Sequence, residues 1–262
     1  MKAVGKSFGL SSSTGDSDHA QKLDNYRWLF RYMSQIGDCR VLQTPAEQDA
    51  ATYLTRLLGL PSHHDPQKNW DTLKCLHYIL QSCDPALPIL DAGSSSKSVI
   101  LKWLTMFGFR ELYACDLQDE KAKYQNTEIK FSRQDLTNTD YPSNYFQAIT
   151  SISVIEHGLP LDKCVVEMAR LLKPGGLLLT STDYWSDYID CSGIYPYGDR
   201  MPEMKVFQPS EIEQFCGLAD AAGLTLCSPL DLTVAEKSVK WERVNREYTF
   251  IFLAMRKLVE KL

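Results

Sequence analysis

The stretch Pro88–Ser98, reading Pro-Ile-Leu-Asp-Ala-Gly-Ser-Ser-Ser-Lys-Ser, constrains the fold more than any other part of the chain. A short apolar run ends in Asp91, the backbone must turn at Gly93, and the apolar-periodic segment 99–107 follows. That order is the strand, loop and helix that open a parallel βαβ unit. Gly93 has no Cβ, so the chain can bend tightly there and approach a ligand closely. The serines behind it, beginning with Ser94, suit a helix start, where free N–H groups point outward.

A second run, Glu111–Asp116, again ends in a carboxylate. In a doubly wound sheet an acid at that place lies beside the first loop and accepts the ribose hydroxyls of a nucleoside ligand, which assigns Asp116 to that contact. A third short strand is expected over 129–136 and a fourth over 145–152. The fourth ends at the switch point of strand order, where such sheets bind ligands, so Ser151 and Ser153 would line a crevice there. Glu156-His157 would open the loop facing it. A helix over 161–172 is expected to stop at Lys173-Pro174-Gly175-Gly176, with a fifth strand over 177–182. Beyond these come a helix over 210–222 capped by Ser210, a short run from Leu224, and a last strand over 248–255.

Taken in order, the Asp91 loop, the Ser-Val-Ile-Glu-His run at 153–157 and the Ala-Arg-Leu-Leu-Lys-Pro-Gly-Gly run at 169–176 resemble the class I S-adenosylmethionine (SAM) dependent methyltransferases. The likeness spans roughly 86–256 and is nearest the small-molecule branch similar to the ubiquinone-biosynthesis methyltransferases. It implies an α/β fold, a Rossmann-like doubly wound sheet of seven strands with an antiparallel hairpin at its end. It implies SAM as cofactor and S-adenosylhomocysteine as product. It also implies that Asp135 accepts from the adenine amine, with Leu117 and Leu136 as apolar walls; a turn cap before Thr137 is the equal alternative for Asp135. The family usually has three alternating glycines in the first loop, whereas here Ser95 and Lys97 hold two of those places, and Lys97 would bring bulk and charge towards the cofactor. Relatives that bind a divalent ion have an additional acid where Ser153 stands, so no metal is expected.

The remaining organisation follows from pattern. Residues 1–20 lack periodicity and read as a flexible tail, with a lid carrying Phe8 and His19 as the alternative. Residues 21–85 read as a helical cap on the core: a helix over 21–36 with an apolar stripe at 23, 26, 29, 30 and 33, a helix begun by Thr44-Pro45, and a third begun by Asp65-Pro66, with Trp28 and Trp70 read as core residues. The methyltransferase domain would take 86–262. Within it the connection 183–207, rich in Tyr, Trp, Asp and Gly, reads as the wall that selects the substrate. His63-His64 invites a metal reading, but adjacent residues seldom aim both rings at one ion.

A net charge of −5 disfavours a phosphate-tracking surface, so no nucleic acid is expected as partner. The 8 cysteines show no Cys-x-x-Cys spacing and read as reduced thiols. With no run long enough to span a membrane, a cytoplasmic location is the expectation.

Methyl transfer from a sulfonium is an in-line displacement that needs placement more than a protein nucleophile. A hydroxyl acceptor would also need a base, for which His157 is the first candidate, with Asp183, Tyr184 and Glu156 behind it. The bland alternative makes His157 a loop residue that fixes the substrate loop. The expectation is thus a methyltransferase for a small-molecule acceptor at O, N or C. A non-catalytic ligand-binding member of the fold is the alternative. A nicotinamide-dependent oxidoreductase is disfavoured because the glycine register fails at Ser95 and Ser98.

Overall fold

The computed structural model describes residues 39–95, 97–198 and 202–259. The expected tail and the expected helix over 21–36, with Phe8, His19 and Trp28, lie outside the described residues.

Among the described residues ten strands form one sheet: β1 (Cys39–Val41), β2 (Ile89–Ala92), β3 (Leu112–Asp116), β4 (Lys130–Arg133), β5 (Phe146–Ile152), β6 (Leu172–Tyr184), β7 (Leu224–Leu226), β8 (Leu230–Asp231), β9 (Val239–Trp241) and β10 (Arg246–Lys257). The order β4-β3-β2-β5-β6-β10-β1-β8 places the reversal of strand order between β2 and β5. The strands from β4 to β6 are parallel, and β10 lies antiparallel to β6. β7 pairs with the end of β10 from Met255 to Lys257, and β1 with its middle, so the expected seven-stranded core with its antiparallel end is present. Strand β1 was not expected. Its three residues are all buried, with Arg40 paired to Glu47, and it sits between β10 and β8, where both of its sides are hydrogen-bonded.

The described helices are α1 (Pro45–Leu57), α2 (Asn69–Ser82), α3 (Ile100–Met106), α4 (Lys121–Tyr124), α5 (Leu161–Leu171) and α6 (Pro209–Ala221). Pro45 starts α1, where its missing N–H costs nothing. Asp65 accepts from the Gln67 N–H, and Pro66 opens a short 3-10 turn that runs straight into α2. Every residue from Asn69 to Ile79 is buried, because α2 lies between the sheet and its neighbouring helices α1 and α3. Strand alternation separates the two faces of the sheet. On β6, Ser181 meets α2 through Asp71, whereas Leu178 and Thr180 lie beside Val165 and Met168 of α5 and Phe215 of α6.

Two boundaries differ from the sequence reading. Lys173-Pro174-Gly175-Gly176 does not lie outside the strand: β6 begins at Leu172, and the run is absorbed as a register irregularity against β5. A Cβ on Gly176 would stand 2.9 Å from the Lys173 carbonyl and 3.1 Å from that of Gln147, which explains a glycine there. The N-cap of α6 is Gln208, not Ser210; Gln208 and Glu211 satisfy each other's backbone in a capping box.

The buried stripe of α2 carries the stability of this region. Leu76→Ala, at a site with 0% exposure, should cost about 2–5 kcal/mol in urea unfolding, whereas Leu57→Ala on the 61%-exposed face of α1 should stay within about 0.5 kcal/mol.

Candidate active site

The turn after β2 is built from side chains where a glycine-rich loop would use backbone. Gly93 adopts φ 77°, and the Gly93 and Ser94 N–H groups both donate to the Cys115 carbonyl at 2.9 Å. Asp91 lies beneath. Its Oδ2 accepts the Ser94 and Ser98 hydroxyls at 2.5 and 2.6 Å, and its Oδ1 accepts Thr150 at 2.7 Å. The Ser94 hydroxyl also meets that of Tyr124 at 2.7 Å. The Lys123 ammonium closes the outside of the loop by donating to the Ser95 and Ser98 carbonyls. Burial pulls the Lys123 pKa down, and the Asp91 carboxylate opposes that pull.

Asp91 and Ser94, both expected from the sequence as cofactor-binding residues, are 2% and 1% exposed and bonded to neighbouring side chains that shape the turn. Lys97 is exposed. The side chain against Gly93 is that of Val154, which a Cβ at Gly93 would strike.

Asp116 ends β3 beside this turn. Its Oδ1 accepts the Gln118 N–H at 2.7 Å. Burial pushes its carboxyl pKa up, opposed by that hydrogen bond and reinforced by the charge of Asp91. Leu117 is 46% exposed next to it, and Leu136 is buried. Asp135 takes the turn-cap form: its Oδ1 accepts the Thr137 N–H and hydroxyl at 2.9 and 2.7 Å, and those bonds hold its pKa down.

At the switch point Ser151 is buried, and its carbonyl accepts the Thr180 hydroxyl at 2.8 Å. Ser153 adopts φ 53°, a conformation costly for a residue with a Cβ, and its N–H donates to the Ser181 carbonyl at 3.0 Å. Ile155–His157 makes a 3-10 turn that ends at Gly158, where Pro202 packs so closely that a Cβ would collide with it. Glu156 is 1% exposed and accepts the Thr182 hydroxyl at 3.0 Å. The His157 ring meets Tyr197 edge-on, with centroids 4.8 Å apart, and its Nδ1 is buried with no partner among the described residues. Burial lowers the His157 pKa despite the neighbouring Glu156, which favours a neutral imidazole.

Asp183 lies on the α2 face of β6, opposite Phe250 of β10. It is 5% exposed, and the Tyr248 hydroxyl donates to it. Burial drives its pKa well up, Glu156 adds to that rise, and Lys68 opposes it. Tyr184 is not brought to this place. The strand continues through it, so its side chain points to the other face, where its hydroxyl donates to the Leu232 carbonyl at 2.8 Å.

Sequence reasoning did not single out Lys68, Asp71, Tyr248 or Phe250. The Lys68 ammonium donates to the Ser153 hydroxyl, sits 3.3 Å from the centre of the Phe250 ring, and lies 3.7 Å from Asp71 Oδ2. Asp71 has 0% exposure and accepts the Ser181 hydroxyl at 2.8 Å; burial pushes its pKa up. The available signal was an acid inside an otherwise apolar helical stretch, three residues after a lysine. The connection after β6 returns over this group: Phe207 N–H donates to the Asp183 carbonyl and Lys205 N–H to that of Glu156, each at 2.9 Å.

Residues 90–180 match the family model described as a methyltransferase domain. A putative sarcosine dimethylglycine methyltransferase from Galdieria sulphuraria superposes with a TM-score of 0.52 at 16% identity, covering 80% of this chain and 98% of that one. Phosphoethanolamine N-methyltransferase 2 of Haemonchus contortus, solved with phosphomonomethylethanolamine and S-adenosylhomocysteine, superposes with a TM-score of 0.53 at 15% identity, covering 80% of this chain. The chain spans 58% of the length of that nematode enzyme. The cyclase SpnF is similar at 16% identity with a TM-score of 0.52, covering 85% of this chain and 99% of its own. No curated protein matches the chain in sequence. The resemblance to class I SAM-dependent methyltransferases is borne out by the domain match and the shared fold.

The buried acids give a test of this geometry. A carboxyl whose folded pKa is raised contributes stability below its ordinary pKa, and that contribution is lost as pH rises through the folded value. Asp183→Asn should therefore raise Tm relative to the natural chain at pH 8, with the difference shrinking as pH falls towards about 4. Thermal unfolding monitored by circular dichroism across that range checks it.

Proposed function

We propose that the protein is a SAM-dependent methyltransferase for a small-molecule acceptor. The observation that carries this reading is the position of the matched segment 90–180: it spans the Gly93 turn, Asp116, and the Glu156-His157 turn, which the fold gathers along one edge of the sheet. The residues fit an adenosyl amino acid at that edge. Asp116 has one carboxylate oxygen committed to the Gln118 N–H, leaving the other for sugar hydroxyls, and Leu117 offers an apolar face beside it. The partnerless His157 Nδ1 supplies a hydrogen-bonding site. Val154, a side chain and not backbone, borders the turn at Gly93 and can yield by rotation.

When bound, SAM supplies a methyl group on a positively charged sulfur. The chain's own contribution is placement, which supplies about 7–11 kcal/mol in well-oriented systems. Asp116 orients the sugar. Tyr197 and the neighbouring Glu156 side chain give the surroundings the electron-rich character that suits a cation. Neutral His157 can accept a proton, and the returning connection packs Pro202 on Gly158 and Tyr197 on the His157 ring. No helix among the described residues is long and apolar enough to cross a membrane, which fits an acceptor met in solution.

Calorimetric titration tests the reading. S-adenosylhomocysteine should bind and NAD should not. Asp116→Ala should weaken the former about 10- to 100-fold, the value of hydrogen bonds to a charged group. Asp135→Ala, whose carboxylate is committed to Thr137, should change it by less than about threefold. Silence with both SAM and its demethylated product would leave the non-catalytic reading; binding of NAD alone would support the oxidoreductase.

A further inference from the structure

Lys68 is a buried cation with too few partners. Its side chain is 12% exposed, yet of its three N–H bonds one goes to Ser153, and no other oxygen among the described residues lies within hydrogen-bonding distance. The nearest carboxylate, Asp71, is 3.7 Å away and is held by the Ser181 hydroxyl. The ammonium is kept in place by the face of Phe250 at 3.3 Å, an attraction that fixes position without using up its donors. Beside it, one residue pair across from β10, lies Asp183, whose carboxylate accepts from Tyr248. An available cation and a buried carboxylate thus stand together where the strand ends meet the turn carrying Ser153 and Val154, the latter packed on Gly93.

We propose that Lys68 and Asp183 form the acceptor site for a hydroxyl, so that the enzyme methylates oxygen. The inference rests on the methyltransferase reading above. Asp183 takes the proton of the acceptor O–H. Lys68 donates a hydrogen bond to the oxygen as its negative charge develops. The new O–C bond forms as the C–S bond breaks, its electron pair staying on sulfur to give a neutral thioether, and Asp183 then releases the proton to water. Lys68 argues against an amine: an ammonium acceptor would meet a like charge, and a neutral amine develops no anion for Lys68 to stabilise. Burial raises the Asp183 carboxyl pKa, so its carboxylate is a stronger base than an exposed one. The groups facing this pair are Asp71 from α2, His63 from the loop before it, Glu156 and His157 from the 3-10 turn, Tyr248 from β10, and Cys191 and Tyr197 from the connection.

The probe is 4-nitrophenol, whose ionisation is read by absorbance without turnover, added to the full-length protein with and without S-adenosylhomocysteine. In the natural protein the bound probe should reach half-ionisation about one pH unit or more below its value in free solution, as expected beside an opposite charge. Lys68→Met should abolish that shift and Lys68→Arg should restore most of it. A probe bound uncharged, a shift that survives Lys68→Met, or no uptake overturns the proposal. Calorimetry with S-adenosylhomocysteine on the same samples separates the two readings. Binding that Lys68→Met changes by less than about threefold leaves the methyltransferase reading intact whatever the probe does. Failure of the natural protein to bind would defeat that reading instead.

Discussion

The Asp91 carboxylate is the joint on which the site is built. It accepts two hydroxyls from the loop it precedes, Ser94 and Ser98, and one from Thr150 on β5, the neighbouring strand across the switch point. Hydrogen bonds to a charged group contribute about 1.5–3 kcal/mol each, and leaving such a carboxylate buried without them would be costly. Three of them hold the turn, its strand and the strand beyond the reversal in one arrangement. Lys123 completes it by binding the Ser95 and Ser98 carbonyls from outside. A loop with one glycine where the family usually has three can therefore keep its shape, because hydroxyls and an ammonium take over what close backbone packing would otherwise do.

On the far side of that joint the chemistry changes from hydroxyl-bound turn to buried charge. Asp71, Glu156 and Asp183 are each 5% exposed or less, and Lys68 is the cation set among them. Such a group is unfavourable for folding alone, since desolvation of charges is offset only where hydrogen bonds and opposite charges are well placed. Ser181, Thr182 and Tyr248 provide bonds to the three acids, one each. The raised pKa values of Asp71 and Asp183 beside an under-partnered ammonium are the pattern expected where a fold accepts a stability cost for reactivity. Ser153, held at φ 53° and bonded to Lys68, adds backbone strain at the same place.

The connection after β6 gives the edge its roof. It returns to the sheet by pairing Phe207 with Tyr184, lays Pro202 over Gly158, and sets Tyr197 against His157. Tyr188, Tyr195 and Tyr197 remain 71%, 42% and 50% exposed, an aromatic rim on the side where an acceptor would enter. The similar proteins share the sheet at 15–16% identity, a level at which the fold is common property and the walls of the pocket are not.

The sequence by itself determined the parallel sheet, the turn at Gly93, the carboxylate ending β3 and the Glu156-His157 turn. Each is specified locally, by an apolar run, a residue without a Cβ, or a stop signal within a few positions. It left Asp135 open between ligand and turn, since Thr137 and an adenine amine are alternatives for one carboxylate. It assigned Tyr184 and Asp183 to one site because it did not extend β6 far enough for strand alternation to part them. Only the tertiary structure decided that Lys68 and Asp71, Ser153, Asp183, and Tyr248 and Phe250 share one space. These residues come from stretches far apart along the chain and meet because β10 runs antiparallel beside β6 while α2 crosses that face. No periodicity records such a meeting: register across strands and the packing of a helix on them are set by the whole core, and a buried charge cluster exists only after that core has closed.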